Sequence, residues 1–310
     1  MSPSVVVVGS IVIDLPVWLA RAPQNGETLK VASEGMFLGG KAVNQAVQAH
    51  NLGENPLVVG KVGGDSLGMW AKEALTAHGI SVDAIAASHL PTSYAIPVIE
   101  PDRQYILHVA GANANLTESD VRQTMPQWTG ARALLVQGEV PAAASVTAMR
   151  YMRSLRGLVV CDPAPVDGIS EDMLSLADVL TPNEQELTAL LAGAPHMPAQ
   201  KDAARHLFQT FPRLKALIVT QGERGVWFHE RSAAPVHLPS PSVHAVDPTA
   251  AGDSFNGTWI HHVLSGMSWR EACRPAACAG ALTASRPGAV ASLPSQEEIE
   301  RLCRQGSRQD

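Results

Sequence analysis

The chain has 310 residues, 45% of them hydrophobic and 17% charged, with a formal charge of −6. That length leaves room for a large buried core. An acidic balance with no basic run excludes a general nucleic-acid binder, whose phosphate-backbone affinity needs clustered Lys and Arg.

In chain order, residues 5–13 form an apolar run that ends at Asp14. It is too short for a signal peptide or a membrane span, and Met1-Ser2-Pro3-Ser4 carries no positive charge cluster. The run predicts a strand buried on both faces of a parallel sheet. Residues 28–37 predict short strand material. Val43, Ala46, Val47 and His50 recur at helical spacing up to Gly53. Residues 57–62 read as a second buried strand. Leu67, Trp70, Ala71, Ala74, Leu75 and His78 read as an amphipathic helix stopped by Gly79. Strand-like pieces at 93–99 and 104–109 flank a hairpin turn, Glu100-Pro101-Asp102-Arg103.

Strands at 133–137, 158–161, 179–180, 216–220 and 226–229 then alternate with helices at 143–155, 184–191, 201–210, 254–264 and 269–284. Alternation of this kind predicts an α/β fold with a doubly wound, mostly parallel sheet sandwiched by helices. The segments near 15–37 and 93–109 fall outside it. They predict a small β-sheet lid on a single domain spanning 1–310. Polar residues 304–310 predict a frayed end. Cys161, Cys273, Cys278 and Cys303 form no C-x-x-C pair and predict isolated thiols in a reducing cytoplasm.

Four motifs carry chemistry. Gly35 through Ala42 nearly matches the phosphate-binding pattern G-x-x-x-x-G-K-[ST], but Ala42 lacks the hydroxyl for Mg²⁺ and no core strand precedes it. The remaining readings of Gly39-Gly40-Lys41-Ala42-Val43-Asn44 are a turn that opens a helix, or one whose backbone closes on a small polar ligand with Asn44 bonded to it. Thr181-Pro182-Asn183-Glu184-Gln185-Glu186 resembles a capping box. It also stands at a strand's carboxyl end, where α/β sheets bind ligands. There Asn183 and Glu186 can order water around Mg²⁺ and a phosphate, and the two roles are compatible. Thr220-Gln221-Gly222-Glu223-Arg224-Gly225 is a plain turn or a nucleotide-phosphate contact. His261-His262 reads as packing or surface.

The richest stretch runs Asp247-Pro248-Thr249-Ala250-Ala251-Gly252-Asp253-Ser254. Small residues there allow close backbone approach, and a helix follows. Free amides and a positive helix end then stand beside an acid. That equipment suits phosphoryl transfer to an alcohol: an anion on the amides, and Asp253 within reach of a hydroxyl proton.

In this order the motifs resemble the ribokinase-like (phosphofructokinase-B type) family of carbohydrate kinases over nearly the whole chain, most closely its ribokinase branch. Gly9-Ser10 with Asp14 is similar to the family's first sugar-contacting strand. Gly39-Gly40-Lys41 with Asn44 is similar to its Gly-Gly signature. The run from Gly60 through Gly68 resembles its second-strand turn. Gly111-Ala112-Asn113-Ala114, Gln137-Gly138-Glu139 and Asp162-Pro163-Ala164-Pro165 resemble the ribokinase branch. Asn183 and Glu186 match its Asn-x-x-Glu element, and residues 250–257 its C-terminal signature.

The resemblance implies Mg-ATP as donor, a lid that closes over the sugar, and a homodimer through that lid. It implies Asp253 as base, with the amides of Ala250, Ala251 and Gly252 as anion hole. Asp14, Gly39, Gly40, Lys41, Asn44 and Glu139 would bind the sugar. Asn183, Thr220, Gly222 and Gly225 would lie along ATP, with Glu186 serving the Mg²⁺ network. Asp247, Thr249, Thr283, Arg286, Gly288 and Ser292 would surround a potassium ion.

Three departures stand out. Val12 replaces the family's usual Asn, removing one sugar hydrogen bond, a change that alters discrimination strongly. Ala42 replaces a Gly. Pro248 stiffens the loop and removes an amide. Ribose is the favoured acceptor. A nucleoside or a keto-deoxy sugar acid is the alternative on the same scaffold, and Arg103 is the cation placed to meet an acid. A non-catalytic sugar- or nucleotide-binding regulator is the rival of another class, and Asp253 argues against it. A nicotinamide oxidoreductase would want G-x-G-x-x-G where Gly9-Ser10-Ile11-Val12-Ile13-Asp14 stands.

Overall fold

The computed structural model describes residues 2–101, 103–192 and 200–306. The chain opens with β1 (Val5–Val8), β2 (Val12–Asp14), β3 (Val17–Trp18), β4 (Ser33–Glu34) and β5 (Phe37–Gly39), then α1 (Lys41–Asn51). β6 (Pro56–Gly63), α2 (Ser66–Ala77), β7 (Ile85–Ser88), β8 (Tyr94–Ile99) and β9 (Gln104–Val109) follow. Next come α3 (Glu118–Thr124), β10 (Ala133–Val136), α4 (Ala142–Ser154), β11 (Leu158–Cys161), α5 (Glu171–Leu176) and β12 (Val179–Leu180). The rest is α6 (Glu184–Leu190), α7 (Gln200–Thr210), β13 (Ala216–Thr220), β14 (Val226–Glu230), β15 (Val236–Leu238), α8 (Ala251–Leu264), α9 (Trp269–Ala284) and α10 (Gln296–Gly306).

The large sheet has the order β15-β14-β13-β12-β11-β10-β1-β6-β7. It is parallel except for β14 and β15. Side chains alternate across it, as strand geometry requires. Val5, Val7, Leu135 and Ile218 pack with α1, α2, α8 and α9 on one face. Val6, Val8, Leu134 and Val219 pack with α3, α4, α5, α6 and α7 on the other. Both faces are covered, which is why the central strands read as unbroken apolar runs.

A second, smaller sheet holds β2, β3, β4, β5, β8 and β9. Its β8–β9 hairpin is antiparallel, with Tyr94 opposite Val109. The Glu100 N–H donates to the Arg103 carbonyl across the turn at 2.9 Å, and Asp102 lies outside the described residues.

Four expectations need correction. The apolar run at 5–13 is two strands in two sheets: the chain leaves the large sheet after Val8, and β2 pairs with β5 and β8. Both halves are buried, so hydropathy carries no mark of the change. The first segment of the small sheet accordingly runs from Val12 to Gly39, beyond 15–37. Cys278 and Cys303 are paired in a disulfide that joins α9 to α10, with Cα atoms 6.2 Å apart, while Cys161 and Cys273 are free and buried. Their 25-residue separation carries no motif, and only helix packing brings them together. Residues 304–306 continue α10, and 307–310 lie outside the described residues. Among the described residues no helix is long and apolar enough to cross a membrane.

Candidate active site

The site lies where the carboxyl ends of β10 to β13 meet the start of α8. A cleft of about 200 Å³ there is lined by residues that include Lys41, Asp162, Thr181, Asn183, Thr220 and Asp253. Glu186, Pro248, Ala250 and Gly252 share it.

Asp253 falls in the first turn of α8, which starts three residues earlier than the spacing predicts. Its N-cap, Ala250, adopts a left-handed conformation (φ 61°, ψ 5°) and makes no side-chain cap. Asp253 does not cap the helix either. Its carboxylate is buried and held from α1: Asn44 Nδ2 donates to Oδ2 at 2.9 Å, and Gln45 Nε2 donates to Oδ1 at 3.0 Å. Ser254 N–H makes the first intrahelical bond, to Ala250, which leaves the amides of Gly252 and Asp253 ahead of the ladder. Ala251 N–H is engaged with the Pro248 carbonyl at 3.2 Å.

Burial pushes the Asp253 carboxyl above its ordinary value, against the opposing pull of Lys41 and of the Asn44 and Gln45 donors. Asp162 rises to about 8, again by burial first, with Lys41 opposing and Asp253, Glu186 and Glu139 reinforcing. Burial alone would lower the Lys41 ammonium, but Asp253, Asp162, Glu139 and Glu186 outweigh it and hold its pKa above the usual lysine range. Burial is the largest single influence on it, and only the four carboxylates together overcome it.

The Gly-Gly turn positions Lys41. Gly40 has φ 96°, and a Cβ on it would meet the Ser10 carbonyl at 2.7 Å, so only glycine fits. The Lys41 N–H donates to Ser10 Oγ at 3.0 Å and to Glu139 Oε2 at 3.2 Å. Ser10 also donates to Glu139. Asp14, on β2, is half-buried, and Gly39 stands opposite Val12 on β5. β5 belongs to the small sheet, so the phosphate-loop pattern fails in structure as in sequence.

Asn183 and Glu186 form a full capping box. Asn183 Oδ1 accepts from Glu186 N–H at 2.9 Å, and Glu186 Oε2 accepts from Asn183 N–H at 2.7 Å. Both still line the cleft. Thr220 bridges Asn183 backbone to backbone and reaches the cleft. Gly222 stands outside its lining. Gly225, at φ 96°, packs against the Leu238 carbonyl, and this close approach to β15 explains the glycine.

Asp247 accepts from Thr249 N–H at 3.0 Å and from Gly288 N–H at 2.9 Å, while its own N–H bonds the Ala284 carbonyl. Thr283 Oγ1 is buried without a protein partner. The Arg286 guanidinium is paired with Glu298, and Ser292 Oγ donates to the Ala289 carbonyl. His261 bonds Glu54 at 3.0 Å. No group of three or more metal-ligating side chains forms among the described residues.

Gln45 stands outside every sequence motif, and no role attaches to Asp162 or Gln137 from sequence. The available signal is compositional: Asn44, Gln45 and Gln48 interrupt an Ala- and Val-rich helix whose residues 42–49 are all buried. Buried amides need partners.

The pfkB family carbohydrate kinase profile matches residues 2–296. The chain is 32% identical to a ribokinase of Haemophilus influenzae over 96% of its length and 97% of the relative's. It is 31% identical to one of Schizosaccharomyces pombe, covering 96% of each. A solved Thermotoga maritima ribokinase superposes with TM-score 0.88 at 31% identity, over 97% of this chain and 99% of that one. An Arabidopsis thaliana ribokinase solved with ribose and ATP gives 0.87 at 28%, over 98% and 99%. With a profile match spanning almost its full length, the chain belongs to the pfkB family of carbohydrate kinases.

Proposed function

We propose that the protein transfers the γ-phosphate of ATP to a hydroxymethyl group of a sugar, with ribose as the first acceptor to test. One observation carries this reading: a buried carboxylate in the first turn of α8 beside uncommitted amides, spared from capping by Asn44 and Gln45. Asp253 takes the hydroxyl proton as the sugar oxygen bonds the γ-phosphorus and the bond to ADP breaks. The amides of Gly252, Ala251 and Ala250, with Lys41, face the charge on the transferring group; the Gly252 amide is the freest of them. Asp14, Gly39, Gly40, Asn44 and Glu139 bind the sugar. Asn183, Thr220, Gly222 and Gly225 lie along the nucleotide.

Mg²⁺ brought in with ATP would neutralise phosphate charge. Glu186 already spends its oxygens on the capping box, which suits a hold through water better than direct ligation. The buried, partnerless Thr283 Oγ1 fits a potassium site shared with Asp247, Thr249, Arg286, Gly288 and Ser292. We place the enzyme in the cytoplasm, where ATP is supplied, as a dimer paired through the small sheet. The sugar-acid reading is weakened because Arg103 is bonded to Glu100 at 3.0 Å within its own hairpin.

ADP release with Mg-ATP and potassium, screened over pentoses, hexoses, nucleosides and sugar acids, tests the acceptor. Asp253→Asn is expected to lower kcat by roughly 10³-fold or more while ATP still binds. Undiminished turnover in that variant removes Asp253 as base.

A further inference from the structure

Gln45 occupies a position that packing alone does not explain. It is fully buried on α1, and its single amide nitrogen donates to two carboxylates from distant parts of the chain. Nε2 lies 3.0 Å from Asp253 Oδ1 and 2.9 Å from Asp162 Oδ2. An amide has two hydrogens, one for each acid. Its orientation is fixed from behind, because Gln137 Nε2 donates to Gln45 Oε1 at 2.7 Å. A flipped Gln45 would press its carbonyl oxygen against both carboxylates and face the Gln137 amide with another NH₂. Gln137 is itself fully buried, so the bond between the two glutamines is shielded from water, where such bonds are strongest.

Building on the kinase reading above, we propose that Gln45, locked by Gln137, is the positioning residue that aims Asp253 and keeps it ionised beside Asp162. Two buried carboxylates that share a site without a donor between them cannot both remain charged. The Gln45 amide separates them, Lys41 Nζ lies 3.9 Å from Asp162 Oδ2, and Asn44 holds the second oxygen of Asp253. The charged groups facing Asp253 are therefore Lys41 on α1, Asp162 after β11, Glu139 after β10 and Glu186 on α6. Gln45 adds no charge to this set. It acts by direction and by holding the acids apart.

The test is the pH profile of kcat for the full-length enzyme with Mg-ATP and its best sugar. Gln45→Leu is expected to lower kcat roughly 10- to 100-fold, to move the acid limb about one pH unit upward, and to change the sugar KM by less than about twofold. Gln137→Leu is expected to shift the limb the same way by less. Asp162, raised to about 8, is already protonated where the acid limb falls, so Asp162→Asn is expected to leave the limb in place. A Gln45→Leu profile that superimposes on the wild type, or a loss confined to the sugar KM, overturns the proposal. If Gln45→Leu does not fold, an unmoved limb in Gln137→Leu overturns it equally. Wild-type enzyme that releases no ADP with any acceptor sinks the kinase reading itself, a result distinct from any of these.

Discussion

At the scale of single residues, Asp14, proposed above to bind the sugar, would tie acceptor binding to pH. Its carboxyl is raised to about 6, by burial first and then by Glu139 and Asp247. The folded value lies above the ordinary one of 3.8. Its contribution to stability is therefore fully present below pH 3.8 and lost as pH rises through about 6. Sugar hydroxyls would supply the missing donors to the ionised form. The sugar KM is therefore expected to rise as pH falls from 7 to 5, and the thermal shift caused by the sugar to shrink over the same range. Asp14→Asn should flatten both. A sugar KM constant from pH 5 to 7 in the wild type would detach Asp14 from the acceptor. Val12 shares this face of β2, two residues before Asp14. It is buried yet joins none of the hydrophobic clusters that take in Ile11 and Ile13. An apolar side chain on the same face as Asp14 is thus a local fact of the fold, and on the proposed reading it bears on which hydroxyls the acceptor carries.

At the scale of elements, the start of α8 places strain beside chemistry. A left-handed alanine costs on the order of 1–2 kcal/mol, and Ala250 takes that conformation where the anion hole is proposed. The rest of the loop is tied down by Val246 and Asp247 N–H bonds to the Ala284 carbonyl and by Asp247 to Gly288. Ala250→Val adds branching that this conformation rejects. It is expected to destabilise by roughly 1–3 kcal/mol and to cut kcat/KM for ATP and sugar alike, read by thermal melting and steady-state kinetics. Wild-type melting and kinetics would show that the loop relaxes without consequence. The strain explains a gap in what sequence reveals. The small residues at 250–252 announce close approach, but only backbone geometry shows that the helix begins at Ala251 and leaves Asp253 uncapped. The alternating strands and helices after residue 133 were legible because period-2 and period-3.6 patterns differ. The exit of β1 into β2 was not, because Val5 through Ile13 are apolar and buried almost throughout, whichever sheet they join. Asp253, Asn183 and Glu186 were legible from motif residues. Gln45 was not, since its partners Asp162 and Gln137 come from two other segments and no spacing encodes their meeting.

At the scale of the whole molecule, the small sheet presents an unresolved edge that bears on assembly. β9 pairs only with β8 among the described strands. Along it Tyr105, Ile106, Leu107 and Val109 are exposed, Ile106 at 58% and Leu107 at 55%, and Phe37 on β5 and Met36 just before it are exposed as well. An unpaired strand with an apolar row is a template for another chain unless something covers it. The large sheet is already enclosed by helices on both faces, so the exposed apolar strand of the small one is the surface proposed for association. A second copy of this chain, meeting it through the same strand, would bury the row by a two-fold contact. It would also hold β2 and β5 in place, and with them Asp14 and Gly39. The double variant Ile106→Glu/Leu107→Glu sets like charges against each other across such a contact. It is expected to sediment as a monomer at micromolar concentration where the wild type sediments as a dimer. Its sugar KM is expected to rise several-fold while ATP binding, proposed to lie at the large sheet, is unchanged. A monomeric wild type at the same concentration would assign the apolar row to something other than self-association.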